Sequence, residues 1–124
     1  MDGFLRQRFR QNLREAQWTS IETGATAAGV PDSEFIFPGG CQGWIEFKRA
    51  YGSRVRLRPE QVGWLLTRSR MGGRCFVAVR SEEDLYLYFG GWADSLLEMG
   101  LKLSPTGRWS GRWDWREVRG ILTR

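Results

Sequence analysis

Pro31-Asp32-Ser33-Glu34-Phe35-Ile36-Phe37-Pro38-Gly39-Gly40-Cys41-Gln42-Gly43-Trp44-Ile45-Glu46-Phe47-Lys48 is the stretch on which the reading of this chain depends. Residues 33–37 and 44–48 are short, β-prone and separated by a Pro/Gly-rich turn, the pattern of a hairpin. Side chains alternate along a strand, so Glu46 and Lys48 leave one face while Ile45 and Phe47 leave the other, towards a core. Pairing the two strands brings Asp32, at the start of the first, near Glu46 at the same sheet edge. Two neighbouring carboxylates repel each other. The arrangement is stable when a divalent cation lies between them. Such a cation polarises a phosphate and lowers the pKa of a bound water, and Lys48 can position that water or steady developing charge. The plainer alternative makes Asp32 a turn residue after Pro31 and Glu46 with Lys48 a surface pair.

Outward from the hairpin, apolar residues Leu5, Phe9, Leu13 and Ala16 predict a helix over 3–17. Residues 18–22 suit a short strand. Residues 24–30 form a small-residue loop that lacks the Gly-Lys-Ser/Thr of a phosphate-binding loop. Pro59 opens a helix that runs to about Met71, with Val62, Leu65 and Leu66 on one side, and Gly72-Gly73 ends it. Residues 74–80 are an apolar run suited to a central strand. Another strand follows at 85–89, then helices at 93–99 and 115–122. The order α-β-β-β-α-β-β-α predicts an α/β fold with a mixed sheet flanked by helices. The 124 residues fit one domain, with a core over about 4–90 and a helical, Trp-rich extension over 91–124.

Charge sharpens the picture. The chain carries 19 Lys+Arg against 14 Asp+Glu, for a net +5, which suits an anionic partner such as nucleic acid. Residues 21–48 hold four acids and one cation, whereas residues 49–80 hold eight arginines and a single acid, Glu60. Only two cations are lysines, Lys48 and Lys102. An ammonium approaches a single oxygen as a point charge, so a lysine in an arginine-rich chain marks a place where a guanidinium does not serve. Arg49, Arg54, Arg56 and Arg58 lie between the lysine strand and the next helix, where they can contact phosphates or form a solvated loop. The chain has no histidine, which excludes every imidazole-dependent mechanism and His-ligated zinc. Cys41 and Cys75 are too few for a disulfide framework, read as inert, and suit a reduced cytoplasmic setting. No segment has the length of a membrane span, and the start lacks the apolar run of a signal peptide. Trp44 and Trp64 read as core. Trp109, Trp113 and Trp115 can stack on bases, but packing within the fold or on a partner subunit is favoured.

Pro31-Asp32, a 13-residue spacer and Glu46-Phe47-Lys48 resemble the signature of the PD-(D/E)XK nucleases. The Gly29-Val30-Pro31-Asp32 start, the Trp44–Lys48 strand and Gln61 in the following helix resemble more narrowly its VRR-NUC and Holliday-junction-resolvase-like branch, including small phage and bacterial forms. The resemblance spans about residues 4–80. It implies a restriction-endonuclease-like αβββαβ core, a need for Mg²⁺ or Mn²⁺, cleavage of branched or junction DNA, and a homodimer, in a bacterial or phage-infected host cytoplasm. It assigns the metal to Asp32, Glu46 and the backbone carbonyl of Phe47. Lys48 would position the attacking water, supported by Gln61. Many members add an acid from the first helix. Here that acid is Glu15 or, preferred, Glu22 at the end of the next strand. The segments 74–80 and 85–89 and the Trp-rich tail are the candidate dimer surface. Competing readings are a non-catalytic nucleic-acid-binding module of the same fold, a flap- or nick-type nuclease, and a structural virion or scaffold protein.

Overall fold

A computed structural model describes residues 1–21 and 28–124. Helix α1 spans Gly3–Asn12 and starts where Asp2 accepts the Leu5 N–H on its side chain at 3.1 Å, a standard N-cap. It ends five residues before the predicted boundary, with Leu13 out of helical conformation. Leu13 and Ala16 are nonetheless buried, because the chain folds back onto the same core. Their spacing reported burial rather than helical hydrogen bonding. The indole of Trp18 donates to the Leu13 carbonyl at 2.9 Å and satisfies an acceptor left over by the helix end.

The strands are β1 (Gln17–Ser20), β2 (Ser33–Phe37), β3 (Cys41–Arg49), β4 (Cys75–Ser81), β5 (Asp84–Phe89) and β6 (Gly107–Ser110). They form one six-stranded mixed sheet in sequential order β1-β2-β3-β4-β5-β6. Every pair is antiparallel except β3–β4, which is parallel and joined by α2 (Pro59–Arg70). The protein is thus α/β, with helices on both faces.

One face carries α1 and α4 (Trp115–Leu122), which bury Leu5, Phe9, Val118 and Leu122 against Phe35, Ile45, Phe47 and Phe76. The other carries α2 and α3 (Ala93–Met99), with Leu65, Ala93 and Leu96 over Val77, Val79 and Tyr88. Strand β3 is therefore covered on both sides rather than half-exposed. The alternation along it separates two buried faces, and Glu46 and Lys48 point towards α2.

The tail is not wholly helical. Gly107–Ser110 adds an edge strand on β5, which the sequence did not announce. Trp109 and Trp113 are buried in the α1/α4 layer, and their indole N–H groups donate to Glu117 and to the Glu83 carbonyl. Packing, not base stacking, is their role here. Strands β4 and β5 are interior to the sheet, so neither they nor these tryptophans offer the self-complementary surface expected of them. Among the described residues no helix is long and apolar enough to cross a membrane.

Candidate functional site

The β2–β3 register pairs Ser33 with Ile45, so one residue further along Asp32 lies across from Glu46. Backbone bonds fix both ends of this arrangement. The Ile21 N–H donates to the Asp32 carbonyl at 2.8 Å, and the Phe47 N–H donates to the Asp32 side chain (Oδ2) at 2.9 Å. The latter bond takes the place of a ladder bond just where β2 has ended.

Glu46 is 2% exposed, a depth at which a carboxylate is rarely found without partners. Its partners come from the α2 side. Gln61 Nε2 donates to Glu46 Oε2 at 3.3 Å, and the Lys48 ammonium lies 3.6 Å from the same oxygen. Gln61 Oε1 accepts from Lys48 Nζ at 3.2 Å and from the Arg58 N–H at 2.9 Å. The bond to Arg58 is the helix-capping contact expected of a first-turn Gln. Gln61 is thus both a cap and the bridge that locks Lys48 to Glu46.

The electrostatics follow from this geometry. Burial pushes the Glu46 carboxyl up to about 8, and the nearby Asp32 charge pushes in the same direction, against the pull of Lys48. Without a cation the pair is frustrated: a second negative charge beside Asp32 is costly in this depth of protein. The oxygen-only donor set of Asp32 and Glu46 fits a hard divalent cation such as Mg²⁺ or Mn²⁺. Two carboxylates are the extent of it, because among the described residues no group of three Asp, Glu, Cys or His side chains converges.

The other expected residues are placed as follows. The Phe47 carbonyl accepts the Asp2 N–H at 3.0 Å, which leaves one lone pair unused. Glu15 lies beyond α1, not within it, and pairs with Arg119 at 3.3 Å on the α4 side, remote from Glu46 in the fold's layering. It is not the extra acid of this site. Glu22, the preferred alternative, lies outside the described residues. Arg49, Arg54, Arg56 and Arg58 are all exposed, on the segment that joins β3 to α2. Arg58 makes a 3.5 Å ion pair with Glu60 in the open, where such a pair adds little. Trp44 and Trp64 are half-buried and meet edge to face at 5.4 Å, with the Arg68 guanidinium over both.

One supporting residue, Asp2, escaped the sequence reading, and a second, Gly29, was read only as part of the Gly29–Asp32 start. Asp2 caps α1, pairs with Arg80 at 2.9 Å and donates its N–H to Phe47, so it ties the ends of β3 and β4 to the first helix. Its capping role was visible as an Asp before an amphipathic helix, whereas its reach to β3 was not. Gly29 has φ +86°, and a Cβ there would fall on the Glu60 carbonyl. The chain before Asp32 therefore packs directly on the start of α2, which holds the acid and the glutamine at one end of the sheet. The sequence matches no family model and no curated protein.

Proposed function

We propose that this protein is a metal-dependent DNA endonuclease that hydrolyses phosphodiester bonds, with branched or junction DNA as substrate and a restriction-endonuclease-like core. The observation that carries the reading is the linked group of Glu46, Lys48 and Gln61, from one strand and a helix, with the Asp32 carboxylate held beside it on the Phe47 N–H. A purely structural role would not require a second carboxylate, Asp32, beside the buried Glu46. The order of elements, α-β-β-β-α-β, and the parallel β3–β4 pair agree with the resemblance drawn from the sequence.

In this reading Asp32, Glu46 and the Phe47 carbonyl would hold Mg²⁺ or Mn²⁺, which would supply Lewis-acid polarisation of the phosphate and a more acidic water. Asp32 is fixed by the Phe47 N–H and cannot swing away. A bound cation would favour the ionised form of Glu46, because its positive charge offsets the effect of burial. Lys48, restrained by Gln61, presents an ammonium donor to the attacking water or to the phosphate oxygen that gains charge. Gln61 holds this lysine at a fixed height above the sheet. The exposed arginines from 49 to 58 bind flanking phosphates and orient the DNA.

The test is incubation of the protein with linear, flapped and four-way DNA, with and without Mg²⁺ or Mn²⁺. Cleavage that requires the metal supports the reading. Binding without cleavage under every metal condition favours the alternative, a non-catalytic nucleic-acid-binding module. One observation speaks for that alternative: Glu46 already has Lys48 and Gln61 as partners and can persist without a cation.

A further inference from the structure

One cavity adjoins Lys48, and a second lies beyond it along the 53–56 segment. The first, of about 180 Å³, is lined by Met1, Lys48, Arg49, Tyr51 and Arg56, with no carboxylate among these residues. The second, of about 610 Å³, lies between the 53–56 segment and the end of α3, and its cationic side chains are Arg54, Arg56 and Lys102, against one acid, Glu98. Arg56 lines both, so the two cavities lie on either side of one arginine, the second farther from Lys48. Lys102 is the only lysine besides Lys48.

The segment that carries these arginines is anchored rather than loose. Tyr51 and Arg54 exchange both backbone hydrogen bonds, at 2.9 and 3.0 Å. The Leu101 N–H donates to the Ser53 carbonyl at 2.8 Å, and the Ala50 N–H to the Arg80 carbonyl at 2.9 Å. Gly100, at φ +61°, has no room for a Cβ against that same Ser53 carbonyl, so α3 and the segment are packed backbone to backbone. Val55 and Leu57 are buried while Arg54, Arg56 and Arg58 are exposed. This in-out alternation puts the three arginines in one row, with about 6.6 Å between neighbours along an extended chain. That spacing is comparable with the separation of successive phosphates along one nucleic-acid strand. The row is one side chain wide. Beside it stand Tyr51, 54% exposed with Arg56 over its ring at 4.4 Å, and Met99, 45% exposed. An aromatic face and a thioether offer apolar contact to bases, which a strand provides only when unpaired.

We infer that the two cavities form one track for the sugar-phosphate backbone of a single unpaired DNA strand, with Arg54, Arg56 and Lys102 as its phosphate ligands and Tyr51 as a base-stacking surface. The inference rests on the nuclease reading for its substrate. It adds that the substrate carries a single-stranded arm, and that this arm leaves the centre over the 51–58 segment towards α3.

The test measures binding of a duplex with a fluorescein-labelled single-stranded arm, and of the matching blunt duplex, by anisotropy across a salt series in EDTA. Each contact to a single strand contributes about 0.7 to the slope of log affinity against log salt. The triple variant Arg54→Gln, Arg56→Gln, Lys102→Gln is expected to lose about two from that slope on the armed duplex, and much less on the blunt one. Arg112→Gln, an exposed charge in the β6–α4 turn, is the control for net charge alone. Lys102→Gln by itself, at an exposed position and expected to cost about 0.7, keeps the test open if the triple variant fails to fold. An unchanged slope on the armed duplex, an equal loss on both DNAs, or the same loss from Arg112→Gln overturns the track. Wild-type cleavage with Mg²⁺ is scored separately. Its absence removes the nuclease reading while a slope loss confined to the arm still supports the track, and cleavage without that loss removes the track alone.

Discussion

The Asp32 carboxylate accepts the backbone N–H of Phe47, the residue that follows Glu46 on β3, at 2.9 Å. Asp32 is held by the very strand that carries Glu46, so the pair moves as one unit. Asp32→Asn and Glu46→Gln preserve shape and most of the hydrogen bonding while each removes one negative charge. Either variant is expected to lose cleavage by several orders of magnitude and to retain DNA affinity within a few-fold. Single-turnover cleavage and anisotropy in parallel check this, and normal turnover by either would remove the acids from the site.

The metal-free protein should lose stability as pH rises. The Glu46 carboxyl sits at about 8 in the folded chain against an ordinary 4.5. Between those values the folded chain binds a proton that the unfolded chain has released, so unfolding free energy falls with increasing pH. Stability is greatest below 4.5 as far as this group is concerned and is lost as pH passes through 8. The drop is on the order of a few kcal/mol. Thermal melts in EDTA across this range should show it. Glu46→Gln should flatten the profile and raise the melting temperature at pH 8, and added Mg²⁺ should stabilise the wild type most at high pH.

Gly29→Ala should damage the site from outside it. The residue has φ +86° and its added methyl would meet the Glu60 carbonyl, a backbone atom that cannot rotate away. Left-handed strain in a non-glycine residue costs on the order of 1–3 kcal/mol before the clash is counted. Relief requires the 29–32 segment to move off α2, which separates Asp32 from Gln61. Lower melting temperature together with a fall in kcat beyond that of a stability-matched core variant is expected. Activity that tracks stability alone would deny Gly29 its positioning role.

Cleavage of two strands placed symmetrically about a four-way junction requires two centres, and the one site described here supplies a single pair of acids. A homodimer with a two-fold axis meets that need. Light scattering at micromolar concentration, free and on four-way DNA, should give the mass of two chains. A strict monomer in both states would point to flap- or nick-type cleavage instead.

The hairpin at 33–48 was legible because its turn residues and its alternation agreed, and its register followed from them. Gln61 was legible as a first-turn residue, yet its bridge between Lys48 and Glu46 depends on the α2 crossover, which no local pattern encodes. The depth of Glu46 was missed for a related reason. Alternation tells two faces apart but not whether both are covered, and the sheet that contains β3 has a helical layer on each face. Strand β6 was missed because Gly107-Arg108-Trp109-Ser110 is four residues with no β-branched member, made a strand by the edge of β5. Glu15 was misplaced because buried Leu13 and Ala16 extended the helical period past the helix.

The sheet order bears on when the centre can exist at all. The β2–β3 and β4–β5 pairs close through tight turns, and such local contacts form early in folding. The parallel β3–β4 pair spans the α2 crossover and must wait for that helix to close over it. A nascent chain that has emerged as far as Lys48 already holds both acids and the lysine but lacks Gln61, the crossover and the strand that backs Glu46. In the proposed reading, hydrolytic competence is therefore withheld until the β3–β4 pairing is complete.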